Sequence, residues 1–281
     1  MGDDFRQTLA RETEISGYGV HTGRPARVRL YPAESGEGIA FIREDLPGRP
    51  RLPASWDFLG AVDRGTTLAS DSVRVRTVEH LLAALAGLGV DDVLIGVEGD
   101  EIPIADGSAA PYADAILAAG LKNGDVPRLP LALSRPLWVE SGDSLLAAFP
   151  SKVMRFDVLI TLEAPAPPAQ FFSYLPDPST FVEKLAPART FGYLKEALPL
   201  IERGLARGSG LENTVVIAEE AVFSRDGLRF PDEFVRHKVL DMVGDFALLG
   251  RPLLARVVAI RPGHRLNTDL VRQIMEEEAD E

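Results

Sequence analysis

The sequence contains no cysteine. Disulfides and thiolate-held metals are thereby excluded, and any metal must be held by His, Asp or Glu. Basic residues are in deficit: 30 Lys and Arg stand against 42 Asp and Glu, a formal net charge of −12. A nucleic-acid-binding surface shows as a basic excess, so that class is not expected. A small basic pocket for an anionic ligand stays open, because net charge says nothing about local charge. Long apolar runs are lacking too. The longest, Leu81 to Val90, is far shorter than the ~20 residues that a membrane span needs. The chain opens Met1-Gly2-Asp3-Asp4-Phe5-Arg6, without the apolar stretch of a secretory signal. No stable membrane insertion is expected, and the cytoplasm is the expected compartment. Histidine is scarce, at four residues, which makes the surroundings of each one informative.

What is present is ordinary for a folded protein: 281 residues, 46% hydrophobic and 26% charged, with 25 Gly and 21 Pro marking many turns. This length suits two domains or one large one. Ala26-Arg27-Val28-Arg29-Leu30 alternates as a half-buried strand does. A helix is predicted over about Val78 to Leu88, with Thr77 as its N-cap and Gly87 and Gly89 at its end. A strand at Val93–Val97 and a helix over Pro111–Gly120 follow. Lys122 to Pro130 is charged and not periodic, and is expected to be a linker between domains 1–125 and 126–281. The second part repeats the order of elements without repeating sequence. Strands are predicted at Ala132–Val139, Leu145–Phe149 and Phe156–Leu162, and helical stretches at Thr180–Lys184 and Phe191–Arg203. A strand at Thr214–Ala218, a hairpin through Arg225-Asp226-Gly227 and a strong helix over Asp232–Leu249 come next. Ala255–Ile260 is the last strand, before a helix at Thr268–Glu278. The acidic tail Glu276–Glu281 is expected to fray.

On the helix over 232–249, His237 and Asp241 lie one turn apart on one face, and Asp245 continues the stripe. Val235, Val239, Met242 and Phe246 form a separate apolar stripe, so packing does not dictate the polar one. Two such side chains at i, i+4 can bind one metal ion. His80 is the best third ligand, because Glu79 precedes it at a helix start and can reach a metal-activated water without ligating the metal. A His–Asp pair at this spacing is more often a solvated or structural pair, so spacing alone leaves both readings open.

Five separated motifs occur in order: Thr77-Val78-Glu79-His80-Leu81-Leu82-Ala83-Ala84-Leu85, Glu101-Ile102-Pro103-Ile104-Ala105-Asp106-Gly107-Ser108-Ala109, Ala188-Arg189-Thr190-Phe191-Gly192, Phe234-Val235-Arg236-His237-Lys238-Val239-Leu240-Asp241 and Gly263-His264-Arg265-Leu266-Asn267. With Gly17-Tyr18-Gly19-Val20-His21-Thr22-Gly23, they resemble the UDP-3-O-acyl-N-acetylglucosamine deacetylase family over nearly the whole chain. The resemblance implies an α+β fold: two domains of similar β-α-α-β plan, with the helices of both packed between two sheets. It implies a zinc-dependent hydrolysis of the substrate's acetamide, the committed step of lipid A biosynthesis in Gram-negative bacteria. His80, His237 and Asp241 would hold Zn2+, with Fe2+ also suited to a His2Asp set. Glu79 would be the general base. Thr190 would donate to the developing oxyanion, and His264, oriented by Asp245, would support that charge or protonate the amine. Thr190 as a cap of the following helix and Lys238 as a solvated charge are the bland readings.

The resemblance also implies that Lys238 meets the substrate's diphosphate and Phe191 its sugar. An insertion over about 191–213, with Leu194, Ala197, Leu198, Leu200, Ile201 and Leu205, would line a passage for the acyl chain, helical core being the competing reading. His21 is expected to serve a turn or packing role, and Asp106 a structural turn. Two positions depart from the family's uridine-holding pattern: Leu162 stands where an aromatic is usual, and Pro150 where a lysine is, with Lys152 nearby. The implied partner is the acylated UDP-sugar substrate, with no nucleic acid, and the chain is expected to be a monomer. A related zinc amidohydrolase with another acylated substrate, and a binding module without activity, are the rival readings. The second predicts a broken metal or base position, and none is broken.

Overall fold

The structure, a computed structural model, describes residues 5–71 and 73–280. It is α+β, with two main sheets that share one five-strand path, the second carrying a sixth strand off that path. In the first sheet the spatial order is Thr13–Tyr18, Pro25–Pro32, Val93–Glu98, Ile39–Arg43, Arg51–Pro53. In the second it is Leu137–Ser141, Ser144–Pro150, Leu253–Ile260, Arg155–Thr161, Ala169–Tyr174, with Leu131–Ala132 pairing beside Leu253–Ile260. Numbered by chain order within each sheet, both read 1-2-5-3-4. In both, the fifth strand enters last, antiparallel to the second and parallel to the third.

Six α-helices punctuate the described residues: α1 (Glu79–Leu88), α2 (Ala110–Ala119), α3 (Pro178–Thr180), α4 (Leu194–Glu202), α5 (Glu233–Phe246) and α6 (His264–Asp280). α1 leads into the fifth strand of the first sheet and α2 follows it; α5 and α6 do the same in the second. The strands supply the reason for the layering. Ala26, Val28 and Leu30, and likewise Leu253, Ala255, Val257 and Ala259, alternate buried with less buried neighbours, so each sheet offers one apolar face. α1 is buried along all of its length except Ala86 and packs on α5. A helix apolar all round must lie between layers. α5 covers Arg155–Thr161 and Ala169–Tyr174, α6 covers Leu137–Ser141 and Ser144–Pro150, and α2 lies on Thr13–Tyr18. No helix among the described residues is long and apolar enough to cross a membrane.

Several elements differ from expectation. The stretch expected as a linker is in large part a strand, Leu121–Pro127, paired antiparallel with Phe5–Leu9. It is mostly exposed, so it carries no apolar alternation to read. Phe191–Tyr193 is a strand, because it pairs in parallel with Val215–Ile217, and the helix begins only at Leu194. The hairpin turn lies at Ala218–Ala221, where the Ala218 N–H reaches the Ala221 carbonyl, and not at 225–227. α6 begins at His264; the Thr268 hydroxyl bonds back to the His264 carbonyl (2.7 Å) inside it. Its acidic end is helical through Asp280, with Glu277 tied to Arg135 and Glu278 to Arg251.

Candidate active site

The site forms where the start of α1 meets the middle of α5. Gly244 permits the contact: a Cβ there would lie 2.1 Å from the Glu79 carbonyl oxygen. Thr77, two residues before Glu79, has φ +57. That left-handed conformation is unfavourable for a β-branched residue. It does not cap α1, whose N-cap is Val78 with no side-chain cap. Instead its hydroxyl donates to Glu101 (3.1 Å), which also accepts the His21 and Thr22 N–H groups (both 2.8 Å) and the Thr22 hydroxyl (2.6 Å). A buried carboxylate thus holds both the Gly-rich turn and the strained entry to α1.

His80, His237 and Asp241 are buried and converge. Their candidate ligand atoms all lie within 4.8 Å of one another. Asp241 Oδ1 stands 3.3 Å from His237 Nε2 and 3.6 Å from His80 Nε2. The two rings meet edge-on, 5.0 Å between centroids. His237 Nδ1 donates to the Ala188 carbonyl (3.1 Å), which leaves Nε2 with a lone pair. Burial drives the His237 imidazole down to about 3, so it stays neutral. Burial would raise the Asp241 carboxyl, but the Lys238 ammonium and the His264 imidazolium beside it hold it well below the carboxylate range. Asp241 Oδ1 is buried without a hydrogen-bond partner. An unprotonated imidazole nitrogen and an orphaned carboxylate oxygen facing each other in a buried site fit a bound cation, and the donor set suits a divalent metal. The segment supplying the Ala188 carbonyl is fixed by a buried ion pair, Arg189 to Glu233 (2.8 Å).

Glu79 and His264 flank this cluster. Burial raises the Glu79 carboxyl, against the opposing pull of His264 and His80. Its Oε2 accepts the Thr66 N–H (2.9 Å). His264 Nδ1 donates to Asp245 Oδ2 (2.9 Å), and its Nε2 lies 3.8 Å from Asp241 Oδ2. Burial would lower this imidazole, but Asp245 and Asp241 outweigh it and lift it to about 9. Asp245 is fully buried and accepts further bonds from the Thr66 hydroxyl (2.6 Å) and Asn267 Nδ2 (2.8 Å).

Lys238 is not a free surface charge: its Nζ is 2.9 Å from Asp241 Oδ2 and 5.4 Å from the centre of the Phe191 ring. Phe191 stands edge-on to His237. Thr190 caps no helix; its backbone lies between Gly107 and Val215. Leu194, Ala197 and Leu198 lie outside the cluster on α4, where no residue is buried, so they are not helical core. Leu194 and Leu198 are exposed. His21 serves packing: its ring accepts the Ala206 N–H and meets the Arg64 carbonyl (3.2 Å). Asp106 caps its own turn and binds Arg229 (2.8 Å). Leu162 packs against the core. Sequence reasoning missed Thr66, Glu101 and Glu233. Thr66 lies in a loop with no periodicity to flag it, whereas Glu101 opens a quoted motif, directly ahead of the apolar run Ile102-Pro103-Ile104.

The profile of the UDP-3-O-acyl N-acetylglycosamine deacetylase family matches residues 6–276. The UDP-3-O-acyl-N-acetylglucosamine deacetylase of Myxococcus xanthus (strain DK1622) is 41% identical over 270 residues, covering 96% of this chain and 86% of that protein. Those of Brucella ovis and Brucella abortus (strain 2308) are 40% identical over 275 residues, covering 98% of this chain and 96% of theirs. With a match along almost its entire length, the chain belongs to the UDP-3-O-acyl N-acetylglycosamine deacetylase family.

Proposed function

We propose that Glu79, His80, His237, Asp241 and His264 carry out the family's hydrolysis in this chain, with Thr190, Lys238 and Asp245 assisting. The activity is that of a deacetylase: the acetamide of UDP-3-O-acyl-N-acetylglucosamine is cleaved to acetate and the free amine, a step of lipid A biosynthesis. His80, His237 and Asp241 would hold the metal, zinc or iron(II), which when bound supplies Lewis-acid activation of water and of the amide carbonyl. Glu79 removes a proton from the attacking water; its raised affinity for protons suits it to that task. His264, kept cationic by Asp245, gives a proton to the departing amine nitrogen. The Thr190 hydroxyl donates to the oxygen that gains charge. Lys238 and Phe191 border the cluster where the sugar and its diphosphate would lie, and the apolar stripe of exposed Leu194 and Leu198 with half-buried Ala197 would meet the acyl chain. The division into domains 1–125 and 126–281 assigns Glu79 and His80 to one and the remaining groups to the other.

The convergence of His80, His237 and Asp241 between Glu79 and His264 is the observation that carries this reading. Purified protein incubated with the acylated UDP-sugar should release acetate. A chelator should abolish release, and added zinc or iron(II) should restore it. Metal-loaded protein that releases none would refute the reading.

A further inference from the structure

We propose that Thr66 is a positioning residue that fixes the base and the acid of this site relative to each other. The inference rests on the roles given above to Glu79 and His264. Thr66 is fully buried, and each of its polar groups is committed to a different part of the site. Its N–H donates to Glu79 Oε2 (2.9 Å). Its carbonyl accepts the N–H of Val78, the N-cap of α1 (3.2 Å). Its hydroxyl donates to Asp245 Oδ1 (2.6 Å), on α5, and lies 3.3 Å from His264 Nδ1, on α6. One residue therefore joins the loop, α1 through its backbone, and α5 and α6 through its hydroxyl, at the point where the proton carriers face each other.

The loop that carries Thr66 is itself held in place. The Thr67 N–H reaches the Ala61 carbonyl (3.0 Å), and the Gly60 N–H reaches the Thr67 carbonyl (2.8 Å). The His21 ring contacts the Arg64 carbonyl. Its Nδ1 accepts the Ala206 N–H (3.3 Å), so Nε2 carries the proton and donates to Arg64. The Thr66 donors are thus presented from a fixed frame.

The consequence is geometric. With the Thr66 hydroxyl on Oδ1, Asp245 has Oδ2 left for His264 and Asn267. The carboxylate cannot rotate without breaking a charge-assisted bond, so the His264 ring plane is set by it. The same residue's N–H engages Glu79 Oε2, leaving the other oxygen of the base for water. Moving Thr66 would shift base and acid together, whereas removing its hydroxyl releases the acid alone.

Thr66→Val keeps the shape and the backbone N–H and removes only the hydroxyl. kcat should fall about 10- to 100-fold, the scale of one lost hydrogen bond to a charged group, with KM moving by less than about threefold. Bound metal should stay at the wild-type stoichiometry. Thr66→Ser, which restores the hydroxyl, should recover most of kcat. Thr66→Ala repeats the test without added bulk should the valine variant not fold. In an Asp245→Asn background, Thr66→Val should have little further effect, because the two act on one bond. Wild-type kcat in the hydroxyl-free variants, failure of the serine to recover it, loss of metal in the alanine variant, or additive losses in the double variant would each overturn the proposal. Glu79→Ala, assayed in parallel, separates the two levels. If it is fully active, the assigned base is wrong; if it is inactive while Thr66→Val is fully active, only the role of Thr66 fails.

Discussion

Two imidazoles within one cluster are driven in opposite directions by their neighbours. His237 donates through Nδ1 to a backbone carbonyl and is lowered by burial to about 3. His264 donates to a buried carboxylate and, despite burial, is lifted to about 9. The first is kept as a lone-pair donor and the second as a proton carrier, which is the division that metal-assisted amide hydrolysis needs. A pH dependence follows. As pH rises through about 9, His264 loses its proton and kcat should fall. As pH falls through the raised value of Glu79, the base becomes protonated and kcat should fall again. His264→Gln should lower kcat and remove the alkaline limb while leaving the acid limb. A profile whose alkaline limb survives that substitution would show that another group is responsible. At this scale, part of the site was legible. The i, i+4 rise of a helix places His237, Asp241 and Asp245 on one stripe, and that follows from spacing alone. Thr66 and Glu101 were not legible as site residues, since they act through loops whose approach to the helices depends on tertiary folding.

Elements meet at this site through what they lack. Where α5 crosses the start of α1 there is no side chain at Gly244, and the Glu79 carbonyl occupies that space. The obstacle to any larger residue is backbone, which cannot swing aside as a side chain would. Gly244→Ala should therefore push α5 away from α1, costing about 1–3 kcal/mol of stability as overpacking does. The same displacement separates His80 from His237 and Asp241, so the variant should also bind metal more weakly. Thermal denaturation and metal titration of one preparation check both; a variant that melts and binds metal as the wild type does would show that the contact is not tight. Two helices were placed closely from sequence, α1 and α5 starting within a residue of where Val78 and Asp232 were expected, whereas α6 begins at His264, a turn before the expected Thr268. The misread elements, Leu121–Pro127 and Phe191–Tyr193, owe their structure to pairing with distant strands. Short or exposed strands carry too little alternation to declare it.

At the scale of the whole molecule, two sheets of the same 1-2-5-3-4 order place their helices in one shared layer. The repeated order of elements was visible in the chain, but the repeated topology was not. Strand order is set by which apolar faces meet, and different side chains satisfy that requirement in each sheet. The arrangement makes the proposed metal a tie between the halves, because His80 comes with the first sheet's helix and His237 and Asp241 with the second's. A ligand that binds the folded state at about 100 times its Kd adds about 2.7 kcal/mol of stability. For a domain of 150–250 residues, each kcal/mol moves Tm by about 2–4 °C. Adding zinc to metal-stripped protein at that excess should therefore raise Tm by roughly 5–10 °C, in a single transition if the halves melt together. Asp241→Ala, with one ligand removed, should show little of that shift. Calorimetry of both proteins with and without metal measures it. If the wild type gains nothing, or the Asp241→Ala protein gains as much, the metal does not tie the two sheets through these residues.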